Sequence, residues 1–119
     1  MEITFDNNIP IYIQLLEYLK IYLISGIFKS GEKLPSVRDF AKTFKVNPNT
    51  MQKALAELES MKLIYTERTN GKYVTNDTKL IEKLKDEYAV TLAKSYFNGM
   101  KKIGLGKADS IKYLEGIDD

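Results

Sequence analysis

Between Ser36 and Leu58 the chain opens two helices eleven residues apart, and this spacing constrains its fold more than any other feature. The first start is "SVRD", a capping-box pattern with aspartate in the glutamate place. There a hydroxyl and a carboxylate satisfy the orphan N–H groups of an opening turn. The second start is Asn47–Pro48, an amide N-cap followed by a proline where no N–H is needed. Only a tight "FKV" turn lies between them. Val37, Phe40, Ala41 and Phe44 form one inward face; Met51, Leu55, Leu58 and Met61, with Ala54 beside them, form the other. Arg38, Lys42 and Lys45 stay outside. Two short helices joined this way are a helix-turn-helix pattern.

The flanks decide which version. Upstream, Asn8 is expected to cap a helix with Ile9–Pro10 in its first turn. Its apolar stripe is Tyr12, Leu15, Leu16, Leu19, Tyr22, Leu23 and Ile27, with Gly26 near the stop. Downstream the period changes to two. "LIYTER" and "KYVTN" flank Asn70–Gly71, a strong hairpin signal. Three helices followed by a hairpin predict a winged helix-turn-helix over residues 1–76. Residues 77–119 predict two more helices. A long one near 78–98 carries Leu80, Ile81, Leu84, Tyr88, Leu92, Tyr96 and Phe97 on one face. The glycines of "NGMKKIGLGK" end it, and a short helix near 107–116 follows. The fold class expected is mostly α with a small β-hairpin: a winged helix-turn-helix domain plus a C-terminal two-helix extension.

Composition removes several functions. The chain has no cysteine and no histidine, which excludes disulfides, thiol chemistry, Cys/His metal sites and imidazole catalysis. The carboxylate pairs Asp86–Glu87 and Asp118–Asp119 sit on a solvated helix or the terminus, and there is no Gly-rich phosphate loop. An enzyme, a cofactor and a metal are therefore not expected. "MEITFDNN" has no basic or apolar signal region, and Ile9–Ile27 is interrupted by Gln14, Glu17 and Lys20. A cytoplasmic protein without membrane contact is expected.

Net charge is only +2, but residues 29–53 hold six basic side chains against two acids. This local surplus suits a phosphate-facing patch, with a solvated helix surface as the alternative. The third helix then exposes Asn49, Thr50, Gln52 and Lys53 at its leading end, with Glu57 and Glu59 only in later turns. A recognition helix enters the major groove with its N-terminal residues against base edges. Amides, hydroxyls and amines bond those edges without repelling phosphate, and the helix N-terminus favours a nearby anion. For Asn47 and Pro48 the alternative is capping alone. Arg38 has two readings: a surface ion pair with an acid such as Asp39, or an approach to DNA. The hairpin tip carries Arg68, Asn70, Gly71 and Lys72, either for a phosphate or the minor groove, or as a plain solvated turn. The rival from another class is a winged-helix protein adaptor, which needs an acidic or apolar third-helix face.

From "IPIYIQ" to "GKYV" the chain resembles the GntR family of bacterial transcription regulators. The residues that carry the likeness are "P-x-Y-x-Q", "G-x-x-x-x-G-x-x-LPS-x-R-x-[LF]-A", "VNPNT" and the hairpin ending "Y-V". The resemblance implies double-stranded operator DNA as partner. It points to Arg38, then Asn49, Thr50 and Gln52 with Lys53 adjacent, as contacts. The full candidate set adds Lys33, Ser36 and Asn47, and Arg68, Asn70, Gly71 and Lys72 on the wing. Family wings usually carry two glycines; "TNGKYV" keeps only Gly71. The short tail resembles the YtrA-type subgroup, whose two-helix tail serves dimerisation and whose members control neighbouring transporter operons. Its usual "GLS-x-E-E" turn has Gly106 in place of serine and keeps an acid at Asp109.

Physics points the same way. Two helices cannot enclose an effector pocket of ordinary size, so no dedicated effector domain is expected, and an effector is unknown. Leu84, Tyr88, Leu92, Tyr96 and Phe97 are too apolar to face water. Either a partner helix covers them, or the final helix folds back over them. The first gives a homodimer and a palindromic operator, and the expected action is repression.

Overall fold

The computed structural model describes residues 3–119. Among them are α1 (Ile11–Ile24), α2 (Val37–Phe44), α3 (Pro48–Ser60), β1 (Ile64–Glu67), β2 (Gly71–Val74), α4 (Thr78–Lys102) and α5 (Lys107–Glu115). The chain forms two compact units, the first ending at Glu82 and the second running Lys83–Asp119.

In the first unit α3 packs on α1, α2 and β1. Leu15, Leu19 and Leu23 of α1 meet Phe40, Ala41 and Phe44 of α2 and Met51, Ala54, Leu55 and Leu58 of α3 in one buried core. Phe40 touches two rings edge-on or tilted, Phe28 and Phe44, each with centroids 5.5 Å away. Tyr22 stacks on Phe44 at 6.0 Å.

Both helix starts that define the sequence pattern form. The Ser36 hydroxyl accepts from the Asp39 N–H at 3.1 Å, and the Asn47 side-chain oxygen accepts from the Asn49 N–H at 2.8 Å. Pro48 occupies the first turn of α3. Lys45 closes α2 in the left-handed region, φ 56°, and the next N–H, of Val46, bonds the Ala41 carbonyl at 3.0 Å. A non-glycine residue there costs on the order of 1 kcal/mol, which the hydrogen bonds of the C-terminal cap offset.

Three expectations fail at element ends. Asn8 does not cap α1; Pro10 is at the N-cap and the helix begins at Ile11. The Gln14 side chain is the reason. It accepts from the Asp6 N–H at 2.7 Å and donates to the carbonyls of Asp6 at 2.7 Å and Ile9 at 2.8 Å. This fastens the entering loop, and the Asn8 N–H turns back to the Asp6 carboxylate at 2.9 Å. Ile27 is 52% exposed, because Gly26 at φ +84° turns the chain and Phe28 enters the core instead. Met61 caps the end of α3 and is exposed; after Lys62 at φ 65°, Leu63 takes the inward place.

β1 and β2 are antiparallel, with Ile64 opposite Val74 and Glu67 opposite Gly71. Three residues, Arg68–Asn70, therefore form the loop, and Gly71 opens β2 at φ +104°. β2 also pairs on its other side. Leu34 N–H donates to the Lys72 carbonyl at 2.8 Å, Val74 N–H to Glu32 at 2.9 Å, and Lys33 lies opposite Tyr73. Gly31 opens this pairing at φ +79°, a conformation glycine adopts without a Cβ penalty, and its N–H donates to the Val74 carbonyl at 3.0 Å.

In the second unit α5 is tied to α4 by the Tyr96 hydroxyl, which donates to the Ser110 carbonyl at 2.7 Å. The Ser110 hydroxyl in turn donates to the Gly106 carbonyl at 2.7 Å. Among the described residues no helix is long and apolar enough to cross a membrane.

Candidate nucleic-acid interface

The leading end of α3 is open. Asn47, Asn49, Gln52 and Lys53 are exposed and Thr50 is half-buried, with no acid in the first turn. The inward residues Met51, Ala54 and Leu55 are held in the core, which fixes the rotation of the helix and turns Asn49 and Gln52 outward. Before it, Lys33 and Ser36 are exposed on the segment entering α2, and Arg38 is exposed in its first turn. The cap at Ser36 sets where that turn begins, and hence where Arg38 points.

Lys53 differs from its neighbours. Its ammonium lies over the ring of Tyr12, 3.8 Å from the centroid, so it is engaged with α1. The candidate set did not include Tyr12. Helical spacing within α1 assigns it to the apolar stripe, and only tertiary packing brings Lys53 to it.

The wing divides its residues. Arg68 and Asn70 are exposed at the tip. Gly71 lies beside Lys33, whose Cε is 3.5 Å from where a Gly71 Cβ would stand. Lys72, expected beside them on the tip, faces the body of the domain. Its ammonium donates to the Thr66 hydroxyl at 3.0 Å and pairs with the Glu59 carboxylate of α3 at 3.3 Å. The Thr66 hydroxyl donates to the same carboxylate oxygen at 2.5 Å. Strand alternation is the cause. Lys72 shares a face with the buried Val74, two residues on, and opposite Thr66. The other face holds Tyr65 stacked on Tyr73, centroids 5.6 Å apart.

The Thr66 hydroxyl, above all, holds the Glu59 carboxyl below the usual glutamate range; desolvation opposes it, and the hydrogen bond and charge of Lys72 add to the lowering. A depressed carboxylate stabilises the folded state at neutral pH and loses that contribution as pH falls through its folded pKa. The wing base is therefore expected to loosen only below the ordinary carboxylate range. Amide shifts of Thr66 and Lys72 followed by NMR should report one low midpoint, absent in Glu59→Gln. A midpoint in the ordinary glutamate range would contradict this. Glu59 is solvent-accessible, so the effect on global stability is small.

The candidate dimerisation residues are spread over the two units. Leu80 and Ile81 are half-buried in the first. In the second, Leu84, Tyr88, Tyr96 and Phe97 are half-buried and Leu92 is 68% exposed. Folding α5 back onto α4 thus leaves part of the stripe in water. An open groove of ≈ 280 Å³ lies between the two helices, lined by Ala93, Tyr96, Phe97, Ile111 and Leu114 among others.

Residues 11–74 match the family model described as bacterial regulatory proteins, gntR family. The chain is similar to the uncharacterized HTH-type transcriptional regulator YhcF of Bacillus subtilis, 33% identical over 98% of this chain and 94% of that one. It is also similar to the HTH-type transcriptional repressor YtrA of Bacillus subtilis, 42% identical over 61% of this chain and 56% of that one. Among solved structures it resembles a GntR family transcriptional regulator from Listeria monocytogenes. The TM-score is 0.86 at 38% identity, covering 96% of this chain and 100% of that one.

Proposed function

The chain belongs to the gntR family of bacterial regulatory proteins, and from that premise we propose that it represses transcription by holding a palindromic operator as a homodimer. Transcriptional regulation through a DNA-binding domain is what the family and the relatives share. The observation that supports DNA contact most directly is the open, acid-free leading end of α3, set by Asn47 and Pro48. Asn49, Thr50 and Gln52 read base edges there, while Arg38, Lys33 and the wing tip at Arg68 and Asn70 meet the backbone. Lys72 belongs to the fold of the wing.

In this reading residues 1–76 bind DNA and residues 77–119 dimerise, as in the YtrA-type subgroup, with control of a transporter operon as the subgroup's counterpart. Repression is supported by the likeness to YtrA, a transcriptional repressor. The protein works where the DNA is, in the cytoplasm. The adaptor reading is disfavoured by the same α3 face, which is neither acidic nor apolar.

The test is fluorescence anisotropy with DNA from upstream of the protein's own gene and with scrambled DNA. Specific binding is expected to weaken on the order of 10³-fold between 50 and 200 mM salt, as for a handful of phosphate contacts. Arg38→Ala should reduce the slope of log affinity against log salt by about one. Absence of salt-sensitive binding to the upstream DNA would sink the proposal and revive the adaptor.

A further inference from the structure

We propose that Tyr12 is a positioning residue of the DNA interface: its ring holds the Lys53 ammonium beside α3, so that a phosphate meets a cation already in place. This rests on the DNA-binding reading above. The ammonium sits 3.8 Å from the ring centroid. A lysine carries some of the largest rotamer entropy of any side chain, and binding a phosphate with a free lysine must remove it. A ring that already holds the cation lowers that cost before DNA arrives.

The kind of partner matters. Lys72 is held by the Glu59 carboxylate, which cancels its charge locally. Tyr12 holds Lys53 by its π face and cancels nothing, so the full charge remains for a second, anionic partner. Only one side of the ammonium faces the ring, and Lys53 is exposed, so its other N–H groups remain open to solvent. The ring itself is well seated. Tyr12 is half-buried in the first turn of α1, the turn whose entry Pro10 starts and Gln14 fastens with three hydrogen bonds. This also gives a physical meaning to the "P-x-Y-x-Q" stretch: start the helix, present the ring, lock the loop. Lys53 itself lies one turn after Asn49 on the exposed stripe of α3, beside Gln52.

The experiment is a double-mutant cycle read by DNA affinity and its salt slope, with thermal midpoints measured alongside. Tyr12→Leu is expected to weaken binding about 3- to 5-fold, the value of one exposed cation–π contact, with the salt slope unchanged because Lys53 keeps its charge. Tyr12→Phe keeps the ring face and should bind like the wild type. Lys53→Met should lower the slope by about 0.9, and adding Tyr12→Leu to it should change nothing further. Any loss of folding caused by Tyr12→Leu would persist in the Lys53→Met background, so the cycle separates it from positioning. Additive effects, a Phe variant as weak as the Leu variant, or tighter binding by Tyr12→Leu would each overturn the proposal. The last would mean that the ring competes with phosphate for the cation. If the wild type shows no salt-dependent binding, the DNA reading fails first and this one with it. If the wild type binds and the cycle is additive, only the role of Tyr12 fails.

Discussion

Phe40→Ala is expected to destabilise the first unit by about 3–5 kcal/mol, the usual range for removing a buried phenylalanine. The side chain is 1% exposed, with Phe28 and Phe44 both 5.5 Å away, and Tyr22 stacked on Phe44 behind them. These four rings join α1, the turn after it and α2, so no single element can move in to refill the space. Domains of this size hold roughly 5–15 kcal/mol in total, so a large share would go with one side chain. Urea unfolding followed by helical circular dichroism measures it as a fall in midpoint at constant slope. DNA binding should fall with the fold, since α2 carries Arg38 and its C-terminal turn aims α3. A loss under about 1 kcal/mol would mean that the ring cluster collapses around the gap, and the packing described here would be wrong.

The core of that unit was largely legible because its signals are local. Ser36, Asn47 and Pro48 each act on the next three residues, and the inward faces of α2 and α3 follow from one helical period. Misses occur where a side chain reaches beyond its own turn. Asn8 lost the cap of α1 because Gln14, one turn into the helix, bonds the loop on both sides. The pairing of Glu32–Leu34 with β2 has no β-pattern to announce it; it depends on the turn at Gly31, φ +79°, meeting a strand about 40 residues further on.

The candidate site divides in the same way. Asn49 and Gln52 stand where the helical period puts them. The charge of Lys72 suggests the wing tip, yet two-residue alternation with Val74 already places it on the inner face. Strand alternation outranks the basic character of the loop here. Lys53 is the opposite case. Its partner Tyr12 lies about 40 residues earlier, and only the packing of α1 on α3 brings the two together. Three lysines of the candidate interface thus have different environments. Lys33 lies along the wing glycine, Lys72 is neutralised by a carboxylate, and Lys53 is held with its charge intact. Charge alone overstates what the candidate interface offers to phosphate, because it counts a paired lysine such as Lys72 the same as an open one.

Leu92→Glu is expected to convert the proposed homodimer to monomer at micromolar concentration and to weaken binding to a two-half-site operator by on the order of 10²–10⁴-fold. Leu92 is 68% exposed within the chain, so in a monomer it contributes little packing, and glutamate is a good helix former. Helical content and the thermal midpoint of the monomer should therefore hardly change. In the proposed dimer the same position would lie on the covered stripe of Leu84, Tyr88 and Tyr96, where an unpaired carboxylate taken out of water is costly. The operator loss follows from linkage rather than from any lost DNA contact. When two half-sites lie about one helical turn apart, the second domain binds at the effective concentration set by the first, and a monomer forfeits that advantage. Affinity for a single half-site should be unchanged, which separates loss of dimerisation from damage to the winged domain. Asn98→Glu adds the same charge on the flank already occupied by Glu87, eleven residues earlier, and should leave both mass and affinity alone. Light scattering gives the mass and anisotropy on one-site and two-site duplexes gives the affinities. A Leu92→Glu protein that keeps the wild-type mass would show that α4 does not dimerise through this stripe, and unequal losses on the single half-site would place the defect in the DNA-binding unit instead.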